Sequence, residues 1–142
     1  MSKTSLQIKT PKGFTVRVSE NDTHHVMIKL YHSGKANRVR GFIGRVTLYK
    51  RSAGVYETHY YLDDNYHGKG LGALLYARAI KWGLENGHLI RSSGASSDKA
   101  RRVWESKTLR KFFSIKKRNG SVRDLDVWYA YPKKKQRHGL RK

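Results

Sequence analysis

The chain has no cysteine, two prolines in 142 residues, and ten acidic side chains against 31 lysines and arginines. Each shortage removes a class of protein. Without cysteine there is no disulfide framework, no thiolate zinc site and no cysteine nucleophile, and the composition suits a reducing compartment. No apolar run approaches the ~18 residues that a membrane-spanning helix needs. The opening stretch MSKTSLQIKTPKG lacks the apolar centre of a secretory signal, so a cytoplasmic protein without a membrane partner is expected. The shortage of acid leaves a formal net charge of +21. A surplus of that size repels itself in the compact state unless a polyanion neutralises it, and the candidates are RNA, DNA, a ribonucleoprotein, an anionic membrane or a phosphate-rich ligand.

What is present is aromatic and patterned. Three Trp, nine Tyr and four Phe are too many for a disordered chain. The length suits one domain, expected over residues 1–132, with the tail KKKQRHGLRK at 133–142 carrying no apolar core. Alternating stretches predict an antiparallel meander: FTVRVS, HHVMIKLYH, VRGFIGRVTLYK and GVYETHYYLD, with turns at SGKANR and KRSAG. The period then changes. Leu71, Leu74, Leu75, Ala79 and Trp82 recur at helical spacing, predicting a helix from about Leu71 to Glu85 with Gly87 as a left-handed cap. HLIRSSG reads as a short strand. SSDKARRVWESKTLRKF reads as one helix capped by Ser96 or Ser97. FSIKKRNGSVRDLDVWYAYP reads as a hairpin turning at Asn119-Gly120. Four strands, helix, strand, helix and two strands make a mixed α/β domain.

The densest signal is HGKGLG at 67–72, between a strand and a helix. Amides at a helix start have no partner within the helix and carry partial positive charge, and glycine lets an anion come close. The turn is therefore a candidate phosphate site, with donors from Gly68 to Gly72 and side chains from His67 and Lys69. It is not a P-loop, which requires G-x-x-x-x-G-K-[ST]. It meets the dinucleotide fingerprint through Gly68, Gly70 and Ala73, but the region some twenty residues on reads LIRSSG, with no acid for a ribose.

The same residues resemble the acyl-CoA-binding motif of the GNAT superfamily of N-acetyltransferases, [RQ]-x-x-G-x-[GA], often R-G-K-G-L-G after V-x-P-x-Y. Leu62 stands for the Val, Asp64 for the Pro, Tyr66 for the aromatic and His67 for the Arg or Gln, while Gly68, Lys69, Gly70, Leu71 and Gly72 match directly. Ser97, Ala100 and Trp104 occupy the family's later N-x-x-A-x-x-x-Y positions. The specific likeness covers about Val55 to Trp104, and element order agrees beyond it. The resemblance implies a GNAT fold: N-terminal antiparallel strands, helix, strand, helix and C-terminal hairpin. It implies acetyl-CoA as co-substrate, its pyrophosphate on Gly68, Gly70 and Gly72 and its pantetheine between VYETHYYL and HLIRSSG. Leu62, His67, Lys69, Leu71, Ser97 and Trp104 complete the implied coenzyme set.

Three departures bear on chemistry. The helix tyrosine that protonates the leaving thiolate in the family is Trp104, whose indole is no practical acid. The strand carboxylate falls on Tyr56, so Glu57, one residue away, is the first candidate base, with His59 and Tyr61 on its face as substitutes. The helices usual between the family's first two strands are missing, which implies an open acceptor side. No metal site is expected, because no histidine pair has i, i+4 spacing.

The remaining charge gathers at Arg101, Arg102, Lys107, Arg110, Lys111, Lys116, Lys117 and Arg118, expected to form one basic face for backbone-driven nucleic-acid binding. Two functions follow. One is an N-acetyltransferase whose amine acceptor is carried on or near nucleic acid. The other is a non-catalytic protein of the same fold that binds nucleic acid or a nucleoprotein complex.

Overall fold

The computed structural model describes residues 8–22, 25–32, 41–93, 97–118 and 126–133. Four antiparallel strands open the fold: β1 (Phe14–Asp22), β2 (His25–His32), β3 (Phe42–Ser52) and β4 (Val55–Leu62). A single 3-10 turn (Asp64–Tyr66) leads to helix α1 (Leu71–Glu85), strand β5 (Leu89–Arg91), helices α2 (Asp98–Trp104) and α3 (Lys107–Phe112), and strands β6 (Phe113–Arg118) and β7 (Val127–Pro132). All seven strands form one sheet in the order β1-β2-β3-β4-β5-β7-β6. It is the mixed α/β architecture expected from the sequence.

The period-two alternation decides which face is covered. Val26, Ile28 and Leu30 of β2 and Val46 and Leu48 of β3 point to one side and are buried. The stripe Leu71, Leu74, Leu75, Ala79 and Ile80 of α1 packs on them. Each such aliphatic side chain, fully buried, contributes roughly 1.5–3 kcal/mol. α3 adds Leu109 to the same core, and α2 adds Trp104, which packs against Tyr76 of α1 with ring centroids 5.4 Å apart. The alternate residues, among them Lys29, Arg45, Tyr49, His59 and Tyr61, line the opposite face. β1 ends at Asp22 and β2 begins at His25.

α1 stops where expected. Gly87 has φ +76°, His88 N–H donates to Gly83 O at 2.7 Å, and Gly87 N–H to Leu84 O at 3.3 Å, the paired bonds of a Schellman motif. Ser97 caps α2, its hydroxyl accepting from Ala100 N–H. One local expectation is corrected. The stretch SSDKARRVWESKTLRKF is two helices, because Ser106 starts a new one by accepting from Leu109 N–H at 3.3 Å. The last hairpin pairs Arg118 with Val127. Asn119-Gly120, SGKANR and residues 134–142 lie outside the described residues.

Candidate functional site

The site grows from a failure of pairing. β4 and β5 run parallel through only Val55↔Leu89, Tyr56↔Ile90 and Glu57↔Arg91. Beyond that point β5 stays with β7. Ser92 N–H donates to Trp128 O at 2.9 Å, and Ser92 Oγ accepts from Trp128 N–H at 3.0 Å. β4 meanwhile continues from Thr58 to Leu62, paired only to β3. The strands part, and the gap is a cleft of about 430 Å³. Thr58, Tyr60, Tyr76, Ser97 and Ala100 line it on the helix side, and Arg45, Thr47, Tyr49 and His59 on the other. The cleft therefore passes through the sheet.

The glycine turn lies beside the N-terminal end of α1. Tyr66, in the aromatic position of the motif, is tied to His32 through its hydroxyl (2.7 Å) and packs edge-on to Phe14. His67 donates Nε2–H to Leu62 O at 2.9 Å, so its ring clamps the turn to the end of β4. Gly68 and Gly70 hold φ of +81° and +80° with open space around them. Gly72 is glycine for a different reason: a Cβ there would strike the Tyr60 hydroxyl and press on Val103. The first helical bond runs from Leu74 N–H to Gly70 O. Gly70 offers no side-chain cap and the first turn holds no acid. The amides of Leu71, Gly72 and Ala73 thus have no acceptor within the helix. Lys69 is exposed beside them, whereas the Leu62 and Leu71 side chains are core.

Two phenols face the cleft from the helix side. Burial pushes the Tyr60 pKa up to about 12. Burial raises Tyr76 well above the ordinary phenol value, with Tyr60 beside it adding to the rise. Thr58 and Trp104 approach the Tyr76 hydroxyl and oppose the shift. Neither closes a well-formed hydrogen bond, since Thr58 Oγ1 and Trp104 Nε1 are buried without a partner. Trp104 is fully buried and presents no acid to the cleft.

On the opposite face Glu57 is buried. Its Oε2 lies 3.0 Å from His59 Nε2, and its Oε1 lies 3.1 Å from Arg51 Nη1 and 3.7 Å from Arg91 Nη2. Neither arginine makes a linear hydrogen bond to Oε1, so that oxygen is neutralised by charge. β4 is regular here, because the register shift falls on β3 between Lys50 and Ser52. Glu57 therefore faces away from Tyr56, which packs under α1 against Trp82 and His88. His59 is exposed and lines the cleft. Tyr61 is outside the cleft lining, stacked on Phe42 and under the Arg45 guanidinium.

The basic residues divide. Arg101, Arg102, Arg110 and Lys111 sit on α2 and α3 beside α1, with Arg101 bonded to Asp98 at 2.8 Å. Lys116 and Arg118 lie with Tyr129 and Tyr131 around a hollow of about 470 Å³ near β6. Lys117 also borders this hollow and reaches over the Trp128 ring. Among the described residues no three His, Asp or Glu gather as metal ligands, and no helix is long and apolar enough to cross a membrane. Sequence reading missed Tyr60, Tyr76, Arg51, Arg91 and Ser92. The one available signal was Gly72, a small buried residue that makes room for Tyr60.

A sheet parted between two parallel strands, with an uncapped helix at the parting, defines the acyl-CoA N-acyltransferase fold. The profile of the GNAT acetyltransferase family matches residues 5–108, and the chain belongs to that family, whose co-substrate is acetyl-CoA. No curated protein matches it in sequence. Among solved structures it is similar to a Klebsiella pneumoniae protein assigned to the acyl-CoA N-acyltransferases (TM-score 0.56, 13% identity, 84% of this chain and 97% of that one). It is also similar to PaiA N-acetyltransferase of Thermoplasma acidophilum in complex with coenzyme A (0.54, 15%, 76% and 62%). A third is spermidine N-acetyltransferase of Vibrio cholerae with CoA and spermine (0.53, 18%, 77% and 66%). The chain thus spans just under two thirds of the last two proteins.

Proposed function

We propose that the chain transfers the acetyl group of acetyl-CoA to an amine carried on, or beside, nucleic acid. The observation that carries this reading is the cleft between β4 and β5, which runs from Tyr76 and Ser97 to His59 and whose wall residue Tyr60 abuts Gly72 at the start of α1. The pyrophosphate sits on the amides of Leu71, Gly72 and Ala73, with Lys69 adding charge. The pantetheine follows the side of β4 that β5 has left, where backbone groups from Thr58 onward await partners. Acetyl-CoA supplies the acyl carbon as a thioester, from which the amine displaces the thiolate.

His59 takes the proton from the ammonium. Glu57 holds its Nε2–H at 3.0 Å, leaving Nδ1 as the acceptor. Glu57 is thus a positioning residue, since its own oxygens are engaged. Tyr60, at about 12, is roughly three and a half units above an ordinary thiol. It steadies the leaving sulfur by donating a hydrogen bond and keeps its proton. Arg45 in the cleft wall, with Arg51 and Arg91 nearby around Glu57, disfavours a free polycation and favours an amine on an anionic carrier.

The test is calorimetric titration of acetyl-CoA into nucleic-acid-free protein, with Gly70→Glu as control, followed by thiol release with candidate amines. Saturable one-site binding that the variant loses, together with amine-dependent thiol release, supports the proposal. Absence of binding overturns it. Trp104 in place of the family's acidic tyrosine favours a second reading, a non-catalytic nucleic-acid-binding protein. That reading expects no thiol release with aminoacyl-RNA or basic-protein amines.

A further inference from the structure

The helix-covered side of the sheet is accounted for by the core. The other side is not. No described helix covers it, and Tyr61 and Tyr49 are 46% and 38% exposed. The ladder sets Arg17, Lys29, Arg45 and Tyr61 side by side across β1 to β4. A second row runs His25, Tyr49, Glu57, Arg91, Tyr129 and Lys116 across the sheet. Guanidinium groups and rings alternate: Arg17 lies 5.6 Å over Tyr31, Arg45 5.5 Å over Tyr61 and Arg91 5.9 Å over Tyr129. Phe42 and Tyr61 are near-parallel, 15° apart with centroids at 6.4 Å. Glu57 is buried and already paired, so it does not offset the outer cations.

We propose that this bare sheet face is a binding platform for single-stranded nucleic acid. Arginines and lysines spaced along adjacent strands, about 4.8 Å apart, track a phosphate backbone. Exposed Tyr rings between them offer stacking surfaces, which only unpaired bases can use. A duplex hides its base faces from such rings. An acidic protein would answer the charge but leave the rings unused. The hollow at Lys116, Arg118, Tyr129 and Tyr131 extends the platform to the β6 edge. The cleft opens onto this face at Tyr49 and His59, so a strand lying across it passes the proposed base. That role in presenting an amine rests on the acetyltransfer reading; the binding itself does not.

The test uses the full chain, without acetyl-CoA, and labelled 20-nucleotide single strands, the matching duplex and polyglutamate, followed by fluorescence anisotropy. Single strands carrying 2-aminopurine report stacking by quenching. Single-strand binding at least tenfold tighter than duplex or polyglutamate is expected. Tyr49→Ser and Tyr61→Ser are each expected to weaken it about tenfold and reduce quenching, while Tyr→Phe at either position restores both. The slope of log affinity against log salt should stay unchanged in the Tyr variants and fall by about 0.7 in Arg17→Gln. Equal affinity for duplex or polyglutamate overturns the proposal, as does folded Tyr→Ser protein with undiminished binding. Acetyl-CoA titration of the same variants separates this outcome from failure of the coenzyme site.

Discussion

Replacing His59 by alanine removes the imidazole that Glu57 holds at 3.0 Å. The transfer rate constant is expected to fall about 100-fold or more, with KM for acetyl-CoA little changed, in a steady-state thiol-release assay. Glu57→Gln keeps the shape but not the charge, so it should cost less and displace the pH profile, which a purely structural residue would not do. The cleft phenols make a different prediction. Their raised folded pKa values mean that the native state keeps protons that the unfolded chain releases above pH 10. The contribution is full below pH 10 and is lost as pH rises, through about 12 for Tyr60 and beyond for Tyr76. Urea unfolding at pH 9 to 11.5 should show falling stability, and Tyr76→Phe should flatten the fall. Sequence pattern located Glu57 and His59, because alternation alone assigns them one face. It did not locate Arg51 or Arg91, because Arg51 depends on a β3 register shift and Arg91 on a parallel pairing with no local signature.

The elements show the same division. The helix at Leu71–Glu85 was legible to the residue, since a glycine turn, an apolar stripe and a Schellman ending agree. The break at Ser106 was hidden inside a stretch whose composition is helical throughout. The divergence of β4 and β5 rests on Ser92, which two bonds fasten to Trp128. Nothing in LIRSSG marks that serine. Ser92→Ala leaves the buried Trp128 N–H without its acceptor, a loss of about 1–3 kcal/mol. A lower Tm and weaker acetyl-CoA binding are expected together, because β5 is then less firmly drawn away from β4. Calorimetric scanning and titration on the same sample read both; an unchanged acetyl-CoA affinity would separate Ser92 from the cleft.

At the scale of the whole molecule, counting charge gave +21 but not its arrangement. The late cluster that reads as one basic face in the sequence is divided by the sheet, with α2 and α3 on one side and Lys116 and Arg118 on the other. A strand sends neighbouring residues to opposite faces, so adjacency in sequence becomes separation in space. The beginning of α1 also has a consequence for the entire fold. The two short helices are closed by serines, Ser97 and Ser106, yet the long helix at the centre of the core begins bare. If the coenzyme binds there as proposed, it completes that end, and occupancy and cohesion become one quantity. At a hundred times its Kd, a coenzyme bound there should add about 2.7 kcal/mol to unfolding. A nucleotide lacking the pantetheine should give a smaller part of it. Hydrogen exchange should slow first at Leu71 to Ala73, so that this protein in a cell short of acetyl-CoA would be the looser and more perishable form of itself.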